Sequence, residues 1–238
     1  MIAVDDLTVR FGGVVSLNAM TANFPGGTCG LIGPNGAGKT TFFNVMSGFV
    51  TPFSGSVMVD GVDLLAMPDF KRARWGMRRT FQTEQAIENL SVFDNVATVY
   101  EHSSSGTRAK RAAAVMDAVE FVGLGAMAHD TVRTLPAKER RFIEVARAVV
   151  GAPKVVMLDE PAAGLPDEET VELQEIIRSI PERTGATVIL VDHDMSLVQA
   201  CCSYTAVLDF GRLIAAGPTA EVLRDPQVMQ AYLGVEEG

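Results

Sequence analysis

Residues 33–41 read GPNGAGKTT and satisfy the spacing G-x-x-x-x-G-K-[ST]. Glycines at 33, 36 and 38 open backbone conformations closed to other residues, so successive N–H groups can converge on one anion. The flanks agree with that reading. TCGLI, residues 28–32, is a short apolar strand, and Phe42, Phe43, Val45 and Met46 recur at helical spacing over 39–48. A helix that begins at the end of such a loop adds its dipole to the attraction for phosphate. The candidate phosphate site is therefore Gly33, Pro34, Asn35, Gly36, Ala37, Gly38, Lys39, Thr40 and Thr41. Lys39 is expected to reach the β- and γ-phosphates of ATP, and the Thr40 hydroxyl to ligate Mg²⁺. An ordinary glycine turn has no need of Lys and Thr in that register.

The rest of the chain reads as an α/β fold around this loop. Ile2 to Phe11 and Val14 to Phe24 alternate as strands about a Gly12-Gly13 turn, and Gly55 to Asp60 adds a further strand. From about Ser91 to Gly151 the pattern turns helical, with Arg108–Val122 and Pro136–Val150 as two amphipathic segments. Strand and helix then alternate: Val155–Leu158, Glu168–Ile180, Thr187–Val191, Met195–Cys202 and Tyr204–Leu208. Alternation of this kind implies a mostly parallel sheet. The expectation is one domain over 1–238, its α/β core at about 1–85 and 152–238 and an inserted helical subdomain at about 86–151.

Composition narrows the function classes. A net charge of −9 and a pI near 4.9 argue against a surface built to coat nucleic acid. The three cysteines, two of them adjacent, make a poor disulfide framework and point to a reducing compartment with buried thiols. Met1 leads straight into a strand pattern rather than a secretory signal, and no run approaches the roughly 18 apolar residues of a membrane span. A cytoplasmic protein is expected. KRARWGMRR, residues 71–79, carries five basic residues and reads as a solvated face rather than a nucleic-acid patch.

Further residues carry chemistry. VVMLDE, residues 155–160, is a buried strand that ends in two carboxylates. Neighbouring strand residues point to opposite sides, so Asp159 can bind the metal while Glu160 orients or deprotonates the attacking water. His193 follows the apolar run VILV, at the strand end where open α/β sheets place ligands, and can hydrogen-bond a γ-phosphate. Gln82, after RTF, offers an amide to Mg²⁺ or water.

Taken in order, GPNGAGKTT, the Gln of RTFQ, VVMLDEPAAGL and the His of VDHDM resemble the ATP-binding subunits of ABC transporters from end to end. RTFQ, LDEPAAGL and the tail GPTAEVLRDPQVMQAYLG look closest to the branched-chain amino acid importer type. The resemblance implies a P-loop ATPase core with an N-terminal antiparallel β subdomain, ATP and Mg²⁺ as cofactors, and hydrolysis coupled to uptake of a small organic solute. Membrane permease subunits are the implied partners, holding the chain on the inner face of the membrane. It implies that Phe11 stacks on adenine, although a core Phe fits the residues equally well. It also implies that the Gln82 region senses the γ-phosphate and meets the permease, and that Ala163 to Asp167 cross a dimer interface. A soluble non-transport ABC ATPase and a degenerate regulatory subunit are the alternatives.

One stretch departs from the family. Leu135 to Glu139, LPAKE, stand where the signature LSGGQ is expected. Pro136 lacks both a hydroxyl and a backbone N–H, Ala137 and Lys138 replace glycines, and Glu139 brings negative charge toward an anion site. Lys138 is expected to restore some attraction as a flexible point charge. A Pro at the helix start is itself comfortable, so a helix should still form there. The departure implies a second ATPase subunit with an intact signature, most simply a heterodimer, with a homodimer as the other arrangement.

Overall fold

The computed structural model describes residues 1–103 and 107–233; residues 104–106 of the helical stretch and Gly234 of the tail fall outside them. The chain opens with β1 (Ile2–Phe11), β2 (Val14–Phe24), β3 (Thr28–Ile32), α1 (Lys39–Ser47), β4 (Ser54–Val59), β5 (Val62–Asp63) and α2 (Asp69–Trp75). It continues with β6 (Met77–Arg79), α3 (Val92–Ser103), α4 (Arg108–Phe121), α5 (Ala137–Val149), β7 (Val155–Asp159) and α6 (Asp167–Thr184). It closes with β8 (Thr187–Val191), α7 (Met195–Cys201), β9 (Tyr204–Asp209), β10 (Arg212–Pro218), α8 (Thr219–Val222) and α9 (Pro226–Leu233). Two compact units result: residues 1–72 together with the chain from Thr187 onward, and residues 73–186.

In the first unit β2, β1, β4 and β5 make the expected antiparallel sheet, in that order. Beside it in the same unit, β3 pairs in parallel with both β8 and β9, and β10 closes on β9 in antiparallel fashion. Every residue of β3 and β8 is buried, which is why both read as unbroken apolar runs rather than alternations. Phe24, Phe42 and Phe43 pack tilted against one another under α1, and all three are fully buried. The three cysteines are buried and not in disulfides, as expected from their spacing.

In the second unit β6 and β7 pair in parallel, with Met77 opposite Val155 and Arg79 opposite Met157. Helices α3, α4 and α5 bury Val92, Val96, Val115, Val119 and Phe142 as the core of the helical portion. Thr107 caps α4 by accepting from the Lys110 N–H at 3.3 Å. Helix α6 begins with Asp167, Glu168 and Glu169, anions at the positive end of its dipole, and stops at Gly185 in the left-handed region.

The basic run corrects one expectation. Arg72, Arg78 and Arg79 do not form a solvated face. Arg72 is 6% exposed and donates to the carbonyls of Val45 (2.5 Å), Met46 (3.2 Å) and Met67 (2.8 Å), tying α2 to the end of α1. Arg78 is 7% exposed and donates to Ala73 and Met77 carbonyls; burial lowers its pKa to about 10. Arg79 enters a buried ion pair described below. Lys71 and Arg74 alone remain on the surface.

Candidate nucleotide site

Two glycines of the loop after β3 stand where no side chain fits. Gly33 has φ +149°, and a Cβ there would lie 2.1 Å from the Leu208 carbonyl oxygen. At Gly38, φ is +108° and a Cβ would lie 2.8 Å from the Ser16 carbonyl oxygen. The loop is thus wedged against β2 and β9 within the first unit, and its N–H groups gather at the start of α1. Its own fastenings are the Ala37 N–H to Pro34 carbonyl bond (3.1 Å) and the Gly211 N–H to Ala37 carbonyl bond (3.0 Å).

Lys39 is buried at 7% exposure, and its Nζ donates to the Gly33 carbonyl at 2.5 Å and to the Pro34 carbonyl at 2.9 Å. The ammonium therefore curls over the loop, where phosphate oxygens can take the place of these carbonyls. Thr40 is exposed in the first turn of α1, and Thr41 Oγ1 bonds Ser16 Oγ at 2.7 Å. Asn35 and Gly36 are exposed at the tip. Phe11, for which two readings stood open, is 52% exposed at the end of β1; the core reading falls and an aromatic face is left for a ligand. His193 is exposed in the turn after β8, directly ahead of Asp194, which caps α7.

The second unit collects the other group. Asp159 ends β7 at 2% exposure, with its N–H donated to Thr80 Oγ1 at 3.0 Å. Its Oδ2 is held by Arg79 NH2 at 2.8 Å. One residue on, Glu160 carries φ +49°, a left-handed backbone rare outside Gly, and its Oε1 accepts from Gln82 Nε2 at 2.6 Å. The two carboxylates are held by different partners, Arg79 and Gln82, so the two can take different tasks. The next turn closes through the Ala163 N–H to Glu160 carbonyl (3.1 Å) and Leu165 N–H to Ala162 carbonyl (3.0 Å) bonds, with Gly164 at φ +81°.

Behind Gln82 lies a buried polar group that sequence reasoning missed. Arg141 on α5 donates to the Gln82 carbonyl at 3.1 Å and to the Phe81 carbonyl at 3.4 Å, and pairs with Glu144 at 3.2 Å. Glu144 accepts from the Gln85 N–H at 2.5 Å; burial raises its pKa, opposed by Gln85 and Arg141. The Arg–Glu spacing of three residues on an amphipathic helix was the available signal, but nothing local told of its burial.

LPAKE behaves locally as expected and electrostatically otherwise. Helix α5 starts at Ala137 with Pro136 as N-cap and no side-chain cap bond. Lys138, however, is tied to Glu172 of α6 at 2.5 Å and lies 5.4 Å from the Phe142 ring centroid. That hydrogen bond raises its pKa. It is a held cation rather than a free point charge.

The candidate metal ligands Thr40, Gln82 and Asp159 all offer hard oxygen donors, and the carboxylate is already oriented by its partners. Hard oxygen donors of this kind suit Mg²⁺ rather than a softer metal.

Comparison with known proteins supports a common origin. The family description "ABC transporter" matches residues 18–163, and "Branched-chain amino acid ATP-binding cassette transporter" matches residues 212–238. The chain is 34% identical to the high-affinity branched-chain amino acid transport ATP-binding protein BraF of Pseudomonas aeruginosa, over 98% of each chain. LivG of Escherichia coli, of the same description, matches to the same extent. LptB, the lipopolysaccharide export system ATP-binding protein of Acidithiobacillus ferridurans, is 35% identical over 88% of this chain and 86% of its own. In fold, the ADP conformation of MJ1267, an ATP-binding cassette of an ABC transporter, superposes with a TM-score of 0.87 at 23% identity, covering 98% of each chain. By sequence and by fold, the chain belongs to the ABC transporter family as one of its ATP-binding cassettes.

Proposed function

We propose that the whole chain is one ATPase domain that drives import of a small organic solute, a branched-chain amino acid or a compound like it, through a membrane permease. The observation that carries this is the presence in one chain of a glycine-built phosphate loop, with Lys39 curled over it, and a strand end whose two carboxylates have different partners. Import of an amino-acid-like solute is favoured over export because the likeness to BraF and LivG spans 98% of the chain and includes its C-terminal segment.

In this reading Phe11 stacks on adenine and the amides of residues 33–38 receive the phosphates. Lys39 exchanges its two loop carbonyls for phosphate oxygens. Thr40, Asp159 and Gln82 hold Mg²⁺, which when bound offsets the charge of the phosphates. Glu160 takes the proton of the attacking water, and His193 hydrogen-bonds the γ-phosphate. Gln82, now bonded to Glu160, is the group that a nucleotide or a docked permease would move. No helix among the described residues is long and apolar enough to cross a membrane, which fits attachment to the inner membrane face through a permease. A second ATPase with an intact signature completes this chain's site, and LPAKE completes the partner's site poorly.

Glu160→Gln provides the test, made in proteoliposomes that contain the permease, a solute-binding protein and both ATPases. ATP binding should persist while hydrolysis by this chain's site and solute uptake stop. Undiminished hydrolysis at that site would remove Glu160 from the mechanism.

A further inference from the structure

Arg79 looks in the sequence like one member of a basic run, yet the structure sets it against a buried carboxylate. Its NH2 lies 2.8 Å from Asp159 Oδ2, with the two side chains 7% and 3% exposed. Three constraints fix its place. Arg79 ends β6 in parallel register with Met157, the Thr80 N–H donates to the Met157 carbonyl at 2.9 Å, and the Asp159 N–H donates to Thr80 Oγ1 at 3.0 Å. The guanidinium also sits 4.9 Å from the Phe81 ring centroid. Only Oδ2 of the carboxylate takes the bond, so Oδ1 remains for another ligand. Three residues further along the same segment, Gln82 holds Glu160. One short stretch, residues 79–82, thereby sets both carboxylates.

We propose that Arg79 is a positioning residue for the metal-binding carboxylate: it anchors Oδ2 of Asp159 so that Oδ1 is left to the Mg²⁺ of Mg–ATP. The proposal rests on the reading of Asp159 as the metal ligand given above. A ligating carboxylate works best when an outer partner orients it, and removal of such partners weakens metal binding about 10–100-fold. Arginine suits the task because its planar guanidinium also packs on the Phe81 ring and so holds its orientation, whereas lysine offers one swivelling point charge. The choice has a second consequence. A buried guanidinium beside the ligand repels a bare divalent cation, while the phosphates of ATP offset that repulsion. The site should thus take its metal with the nucleotide and not before it.

The test uses the full chain carrying Glu160→Gln to suppress turnover, and Mn²⁺ as a paramagnetic probe of the metal. Mn²⁺ binding in the presence of ATP is titrated by electron paramagnetic resonance. ATP binding in EDTA is measured separately by calorimetry. Arg79→Lys preserves charge and fold, checked by its melting temperature, and Arg79→Gln removes the charge. The expected result is an Arg79→Lys protein that binds Mn²⁺ with ATP about tenfold or more weakly, with metal-free ATP binding changed less than about twofold. Equal losses with and without metal, or no loss, would overturn the positioning role. Asp159→Asn separates the two levels. If it too binds Mn–ATP normally, the metal role of Asp159 falls and the proposal with it; if it is impaired while Arg79→Lys is not, the proposal alone falls.

Discussion

Arg141→Met isolates what the buried pair behind Gln82 does for the fold. The wild-type guanidinium is 8% exposed and makes three bonds, to Phe81, Gln82 and Glu144, at 3.4, 3.1 and 3.2 Å. Methionine fills a similar volume, so the loss comes mainly from leaving Glu144 without its cation at 4% exposure. Breaking a buried pair costs about 3–5 kcal/mol. The bonds are long and Glu144 keeps the Gln85 N–H, which places the loss near 3 kcal/mol. For a chain of this size that is a fall in Tm of roughly 6–12 °C.

The pH dependence makes the prediction sharper. Burial raises the Glu144 pKa in the folded protein, so its protonated form contributes stability that is present at low pH and lost as pH rises through the folded value. Removing Arg141 pushes that value further up, so more stability is lost by neutral pH. The gap between wild type and variant should therefore be wider at neutral than at mildly acidic pH in thermal unfolding followed by circular dichroism. Adding Glu144→Gln should flatten that dependence and recover part of the Tm, since the amide still accepts from Gln85. A deficit equal at both pH values, or a variant melting within about 2 °C of wild type, would refute the reasoning.

Two further outcomes are expected. Gly33→Ala and Gly36→Ala should differ sharply: the first drives a Cβ to 2.1 Å from the Leu208 carbonyl oxygen, while a Cβ at Gly36 meets nothing within 4 Å and bears only the cost of φ +79°. Denaturant unfolding should show about 3 kcal/mol or more lost at Gly33 against about 1–2 at Gly36. Restoring LSGGQ at 135–139 in the reconstituted pair should raise the ATPase rate of the partner's site; an unchanged rate would mean that LPAKE does not limit it.

The phosphate loop, the carboxylate strand and the order of the larger elements were legible because each is a local pattern: glycine register, an unbroken apolar run, a helical period. Arg72, Arg78, Arg79 and Arg141 were not. Nothing in nearby residues distinguishes a buried arginine that bonds carbonyls from a solvated one, and the partners of Arg79 and Arg141 lie 80 and about 60 positions away. Strand β6, only three residues long, is similarly set by its neighbour β7 rather than by its own composition. Lys138 repeats the lesson, since its tether Glu172 belongs to a different helix.

Glu160 stands with φ +49°, a backbone that glycine or asparagine would occupy at less cost. Selection for thermal resilience alone would thus drift toward replacing the residue proposed above as the base that takes the water's proton. On that proposal, any stabilising redesign of this cassette carries a bias toward dead enzyme at this position, and a library ranked by melting temperature would have to be counter-screened for turnover to notice it.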